Sequence, residues 1–231
     1  FALVRITELY FGLEYNENLD FFIFFATITG YNFVKYAGVA KLHHTSLTDH
    51  LKVIQIFSLL CFGGMIYFAL QLPKIILFYI LPFAGLTLLY AVPFFSGFKK
   101  NLRNISHLKI VVIALVWAGT TVLLPILASN ETLGITEISY SIQRFLIVVV
   151  LTLPFDIRDM QFDAISLQTI PQKIGIRKTK RVGLMLMVFA LIIEFLLSPE
   201  IMAKNAFIIF FFMMLIFLMR SKKEQSRYYS S

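Results

Sequence analysis

Apolar runs alternate with short polar connections along most of the chain and divide it into eight segments of about the length that crosses a bilayer, the first of them shorter. The segments lie at about residues 1–14, 18–42, 49–71, 74–96, 107–128, 138–157, 180–198 and 202–220. Turn residues agree with these limits, because Pro73 and Pro199 precede two segments and Ser129-Asn130 with Gly134 separates two others. Since hydrocarbon requires every backbone group to be satisfied internally, the pattern predicts an all-α integral membrane protein, a multi-helix transmembrane bundle.

The composition supports the same class of protein. The chain has 231 residues, of which 58% are hydrophobic and 25 are Phe, and its mean hydropathy is +0.80. A soluble domain of this size has too little interior to bury so much apolar surface. The alternating pattern of a transmembrane β-barrel is absent. Because no repeat or linker stands out, we predict a single transmembrane helical domain over residues 1–231. Phe1 lies within an apolar segment, so we expect a truncated N-terminus.

The basic residues predict the orientation in the membrane. Seventeen of the 21 Lys and Arg residues flank the second, fourth and sixth connections or follow the eighth segment, whereas acidic residues dominate the odd connections. The positive-inside rule therefore places the even connections in the cytoplasm. The net charge of +8 is explained by this topology and by contact with membrane lipid, and no nucleic-acid partner is predicted. We expect a multi-pass protein of a bacterial inner membrane. Nothing in the sequence bears on its oligomeric state.

Three aspartates lie at the predicted cytoplasmic end of the sixth segment. Asp156, Asp159 and Asp163 are spaced i, i+3, i+7, so a continuing helix would present all three on one face. Ionisable groups at membrane depth are rare and usually mark a site. Clustered carboxylates repel one another, and their hard oxygens suit Mg²⁺, which in turn suits diphosphate. The alternative is a helix that ends at Pro154, followed by a solvated acidic loop.

The motif Asp156-x-x-Asp159-x-x-x-Asp163, followed by Thr169-Ile-Pro-Gln-Lys-Ile-Gly175, resembles the second aspartate motif of the UbiA superfamily of intramembrane prenyltransferases, over about twenty residues. The resemblance implies nine helices, of which eight are visible, with the ninth beyond Ser231 and the chain truncated at that end too. It implies that Asp156, Asp159 and Asp163 are the catalytic and metal-binding residues, with Mg²⁺ as the cofactor. The implied reaction moves a prenyl group from a polyprenyl diphosphate to a lipophilic acceptor of aromatic or quinone type.

The first aspartate motif of that family, Asn-Asp-x-x-Asp-x-x-x-Asp, belongs at the end of the second segment. In this chain only Asn32 matches the motif. The three aspartate positions are occupied by Phe33, Tyr36 and Ala40. Half of the metal site that the resemblance implies is therefore absent.

Three interpretations of this departure remain open. In the first, Lys35 and Lys41 contribute the positive charge of a second metal ion, and the remaining aspartates bind one Mg²⁺. In the second, the ionisation of diphosphate is lost, and the protein is a non-catalytic relative that binds a lipid or a protein partner. In the third, Lys35 only extends to the membrane interface or pairs with Asp156.

Basic side chains near the predicted cytoplasmic surface are candidates for binding diphosphate. The stretch from Tyr90 to Asn104 resembles the family's tyrosine, lysine-arginine pair and asparagine in the corresponding loop, and a plain positive-inside loop is the alternative. Lys173 and Arg177, after the second motif, either orient phosphate or only determine topology. The substrate-binding candidates are therefore Asn32, Lys35, Lys99, Lys100 and Arg103.

Two charged residues lie in the outer parts of their segments, on the side of the membrane away from the aspartates. Glu194 is near the outer end of the seventh segment, from which we expect its carboxylate to reach the interface. Arg144 lies seven residues after Glu137 on the same helical face, so it either pairs with Glu137 or lines a polar tunnel. A small transporter is a further alternative, but it predicts carboxylates near the midplane between broken helices, whereas the aspartates lie at a helix end.

Overall fold

The structure is a computed structural model that describes the backbone of residues 1–36, 49–91, 108–160, 169–198 and 200–222, and the side chains of these residues except 35–36 and 49–51. The described residues form helices and no strands. The helices are α1 (Ala2–Phe11), α2 (Glu17–Tyr36), α3 (Asp49–Gln71), α4 (Lys74–Ala91), α5 (Leu108–Ala118), α6 (Leu124–Ala128), α7 (Ile135–Asp159), α8 (Ile170–Ile174), α9 (Ile176–Leu197) and α10 (Ile201–Arg220).

The helix limits agree with the predicted segments to within four residues wherever the structure describes them. The turn at Pro73 is confirmed, since the Pro73 carbonyl accepts the first backbone hydrogen bonds of α4. Gly134 precedes α7 as predicted. The predicted ends at residues 37–42 and 92–96, and Pro199, lie outside the described residues.

Five helices of the described chain are long and apolar enough to cross a membrane, which supports a multi-pass helical membrane protein. They are Lys52–Gln71, Lys74–Ala91, Leu108–Ala128, Ile135–Asp159 and Ile201–Arg220. Three other predicted membrane segments are not among these five. The helix α1 has 10 residues and spans only about 15 Å. The helices α2 and α9 carry several charges. The count of eight membrane segments, and a ninth beyond the chain, stay predictions.

The chain divides into two compact units. The first comprises Phe1–Asn101 and Thr120–Thr132, and the second comprises Leu102–Gly119 and Leu133–Ser231. The helical run from Leu108 to Ala128 contributes its first half to the second unit and its second half to the first. The single domain over residues 1–231 stays a prediction.

Stacked aromatic rings hold α2 against α3 in the first unit. The ring centroid of Phe68 lies 5.2 Å from that of Phe21 and 5.8 Å from that of Phe25. Gly64 permits this approach, because a Cβ atom at that position would lie 3.1 Å from the Phe25 ring. Aromatic pairs at these distances add attraction beyond the apolar area that they bury.

A π-helical turn interrupts the run between α5 and α6. It covers Gly119–Leu123 and releases carbonyls from the regular α-helical pattern. The buried hydroxyl of Thr7 on α1 donates a hydrogen bond of 2.7 Å to the Thr121 carbonyl. A backbone carbonyl freed within apolar surroundings is thereby satisfied, and α1 is tied to this part of the first unit.

The core of the second unit is built around α7. Leu153 and Ile157 are fully buried there, together with Leu218 of α10 and, nearly so, Met187 of α9. Pro154 lies inside α7, which continues to Asp159, so the interpretation of a helix that ends at Pro154 is wrong. Proline is tolerated within membrane helices because neighbouring groups re-satisfy the freed backbone.

Gly183 sets how closely α9 approaches its neighbours in the second unit. A Cβ atom at Gly183 would lie 2.6 Å from Leu218 Cδ2 and 3.0 Å from Leu153 Cδ1. Small residues at such positions let membrane helices pack closely.

We therefore expect Gly183→Ala to lower the free energy of unfolding by about 1–2 kcal/mol, because the added methyl group overpacks the core. Unfolding in mixed detergent micelles measures the change. The control is Gly63→Ala, since no described atom lies within 4 Å of a Cβ placed at Gly63 beyond its own helix. An equal loss of stability in both variants would contradict close packing at Gly183.

Candidate functional site

Of the predicted site residues whose side chains the structure describes, Asp156 is the most deeply buried. It lies in the last turn of α7 and is 3% exposed. Lys109 Nζ donates to its Oδ1 over 3.1 Å, while its Oδ2 has no hydrogen-bond partner among the described residues. An unpaired buried carboxylate oxygen is costly to desolvate, so this atom is a candidate ligand for a cation.

The position of Lys109 explains why it pairs with Asp156. Lys109 lies in the first turn of α5, which packs along α7. Each charge lies at the unfavourable end of its own helix dipole, since a cation disfavours a helix N-terminus and a carboxylate disfavours a C-terminus. The ion pair offsets both effects. The structure thus gives Asp156 a cationic partner, Lys109, that was not predicted from the sequence, while the predicted pairing with Lys35 lies outside the described side chains.

Asp159 lies one turn further along and has a wetter environment. Its side chain is 28% exposed. Arg158 binds both of its oxygens, with Nε 2.7 Å from Oδ1 and Nη2 3.0 Å from Oδ2. The guanidinium of Arg158 also lies over the Phe155 ring. Two carboxylates at spacing i, i+3 thus end the same helix, one buried and one partly exposed.

The segment Thr169–Gly175, which follows the aspartates in the motif, is attached to the same end of α7. The Gln172 side chain accepts from the Thr169 backbone N–H over 2.9 Å and donates to the Met160 carbonyl over 3.2 Å. Gly175 ends α8 with φ of 79°, a conformation that favours glycine. The two halves of the motif are therefore in contact, as one site requires.

Of the other predicted residues, three have described side chains and five do not. Asn32 lies on α2 in the first unit, and its Nδ2 donates to Ser58 Oγ over 2.7 Å. Lys173 and Arg177 are exposed. The remaining predicted positions fall outside the described side chains: Lys35, Lys99, Lys100, Arg103 and Asp163. The roles of all these residues stay predictions.

The donor set at the end of α7 suits a hard divalent cation. Mg²⁺ is usually held by one or two carboxylates together with substrate phosphates and water. Asp156, with its free Oδ2, and Asp159 supply two carboxylates. Within the described ranges no cluster of three or more His, Cys, Asp and Glu side chains is present, and Asp163 is not among the residues searched. Two carboxylates are thus present at this helix end, of which Asp159 is already bound by Arg158 through both oxygens, and the Mg²⁺ site stays a prediction.

A second buried polar group joins α7 to α9 in the same unit. Glu194 is 3% exposed, so the expectation that it reaches the interface is wrong. Gln143 Nε2 donates to Glu194 Oε2 over 2.8 Å and to the Ala190 carbonyl over 3.1 Å. Polar side chains buried between membrane helices are stabilised by such bonds. A lone carboxylate in an apolar run is the sequence signal for this contact, but it does not identify Gln143.

In the N-terminal half of α7, Arg144 and Glu137 each have a different partner. Arg144 Nη2 donates to the Tyr140 hydroxyl over 3.1 Å, and both side chains are buried. Glu137 accepts from the Gly134 backbone N–H over 2.8 Å and so caps the start of α7. These contacts account for both residues structurally.

Comparison with known proteins adds no family assignment: no protein-family model, no curated protein and no solved structure matches the chain.

The ion pair between Lys109 and Asp156 predicts a large effect of removing one partner. Lys109→Met leaves the Asp156 carboxylate buried without its compensating charge. We expect a loss of roughly 3 kcal/mol in the free energy of unfolding, the lower end for buried pairs because Lys109 is 28% exposed. The double variant Lys109→Met/Asp156→Asn should recover most of the loss.

The matched control is Asp159→Asn, which breaks the more exposed pair with Arg158 and should change stability by less than about 1 kcal/mol. Unfolding of the four proteins in mixed micelles provides the comparison. A Lys109→Met variant that is as stable as Asp159→Asn would contradict a buried ion pair.

Proposed function

We propose that the protein is a UbiA-like intramembrane prenyltransferase, which moves a prenyl group from a polyprenyl diphosphate to a lipophilic acceptor of aromatic or quinone type. The observation that carries the proposal is Asp156, a buried carboxylate at the end of a membrane helix whose Oδ2 has no hydrogen-bond partner among the described residues. Ionisable groups within membrane segments are rare and often mark a ligand or ion site. The attachment of Thr169–Gly175 to the same helix end supports a shared site for both halves of the motif.

In this proposal Asp156 and Asp159 hold Mg²⁺, with Asp163 as a further ligand. The metal ion, when bound, neutralises the charge that develops on the departing diphosphate. Lys109 orients the Asp156 carboxylate through their ion pair, which leaves Oδ2 facing the proposed metal ion. Asn32, Lys35, Lys99, Lys100 and Arg103 are proposed to bind the diphosphate. Arg158 orients Asp159 through its two hydrogen bonds.

The location of the site is part of the proposal. The C-terminal end of α7 and the start of α5 carry the basic residues Arg158 and Lys109, and the positive-inside rule places such ends in the cytoplasm. A cytoplasmic site in a bacterial inner membrane would meet water-soluble Mg²⁺ at the polar head and membrane-dissolved prenyl chains at the apolar helices.

A second candidate function is a non-catalytic relative that binds a lipid or a protein partner. The specific observation in its favour is that both described aspartates already have a cationic partner, Lys109 for Asp156 and Arg158 for Asp159. The loss of the first motif at Phe33, Tyr36 and Ala40 points the same way. In that case the ion pairs only stabilise the end of α7.

Binding of geranylgeranyl diphosphate to the purified full chain tests the proposal. We expect binding that requires Mg²⁺ and weakens at least about tenfold in Asp159→Ala, since removing a group at a metal site typically lowers affinity by that factor or more. Titration calorimetry with and without a chelator measures both requirements.

Glu131→Ala is the control, because it removes one carboxylate from an exposed turn before α7 and should leave binding unchanged. Absence of metal-dependent binding would contradict the enzyme and favour the non-catalytic relative. Metal-independent binding that Asp159→Ala does not affect would also favour that relative.

A further inference from the structure

Asp20 in the first unit is a fully buried carboxylate that lacks a hydrogen-bond partner within the described part of the chain. It lies in the first turn of α2, is 0% exposed, and follows Leu19, a residue of the apolar core. Neither Oδ1 nor Oδ2 has a hydrogen-bond partner among the residues that the structure describes. The dipole of α2 favours a negative charge here, but this contribution is smaller than the cost of burying an unpaired ion.

The charged groups that act on Asp20 are Glu8 and Arg5 on α1 and the α-amino group of the exposed residue Phe1, which forms no hydrogen bond with Asp20. Glu8 is buried, and its negative charge opposes a second negative charge on Asp20. Arg5 also acts on Asp20, but its guanidinium is bound to the Glu8 carboxylate and lies over the Tyr15 ring. Arg5 therefore neutralises Glu8 first.

The three side chains together carry one unit of uncompensated negative charge when ionised. Arg5 and Glu8 balance each other, which leaves the charge of Asp20. The turn Gly119–Leu123 and α6, which also contact α1, contain no ionisable side chain to balance it. Of the helices that pack against α2, α4 begins at Lys74, which is not among the charged groups that act on Asp20. A buried charge in apolar surroundings must be paired or neutralised.

We propose that Asp20, together with Glu8 and Arg5, forms a buried site for one small monovalent cation, a proton or an alkali-metal ion, between α1 and α2. The two oxygens of Asp20 are the ligands, and Glu8 adds to the negative field that attracts the ion. The site lies apart in sequence from the aspartates of α7 and does not depend on the proposed prenyl transfer.

Thermal unfolding of the purified full chain in detergent tests the site. NaCl or KCl replaces choline chloride at constant ionic strength, and the pH is varied from about 5.5 to about 8.5. Binding of an alkali-metal ion should raise the wild-type midpoint by about 5 °C over choline. If the cation is a proton, the three salts should give equal midpoints that fall as the pH rises.

Two variants connect either response to this site. Asp20→Asn removes the charge without changing the shape and should abolish the response. Glu8→Gln frees Arg5 to neutralise Asp20 and should abolish it as well, so the test survives if one variant fails to fold. Glu17→Gln removes an exposed charge from the same helical turn and should keep the wild-type response. Variants at Asp20 and Glu8 that respond to salt and pH as the wild type does would overturn the proposal.

Discussion

A carboxylate buried at the end of an apolar helix needs a compensating charge, and for Asp156 that charge comes from Lys109. The ion pair joins the start of α5 to the end of α7, and it leaves one carboxylate oxygen without a partner among the described residues. Gln172 then attaches the following segment to the same helix end. The interaction thus fixes one contact between α5 and α7 and leaves one carboxylate oxygen available to a ligand at this polar end. The same constraint is met at Glu194, where a neutral donor, Gln143, satisfies the carboxylate instead.

The positions of the helices could be predicted from the sequence, because a chain in hydrocarbon must form helices and its polar turn residues then mark where each one ends. Gly134 and Pro73 act in this way. Pro154 is the instructive exception, since α7 continues through it for five further residues. The contact between the aspartate motif and Thr169–Gly175 could also be predicted, because the two parts are close along the chain.

The contacts between helices could not be predicted, because lipid and protein interior are equally apolar and leave the rotation of each helix undetermined. Leu153 is fully buried whereas Leu70 is 80% exposed, although both lie in apolar helices. For the same reason the sequence does not identify Lys109 as a partner of Asp156. The burial of Asp20 likewise depends on how the neighbouring helices pack around the start of α2. Charged residues near segment ends are therefore visible as candidates, but their partners depend on the three-dimensional packing.

The most direct measurement of the central claim is an experimental structure of the full chain with Mg²⁺ and a hydrolysis-resistant prenyl thiodiphosphate. If the end of α7 is a diphosphate site, Asp156 Oδ2 coordinates the metal ion, and the diphosphate lies against the same helix end. An intact ion pair between Lys109 and Asp156, with metal and prenyl compound absent from that position at saturating concentrations, would contradict the claim.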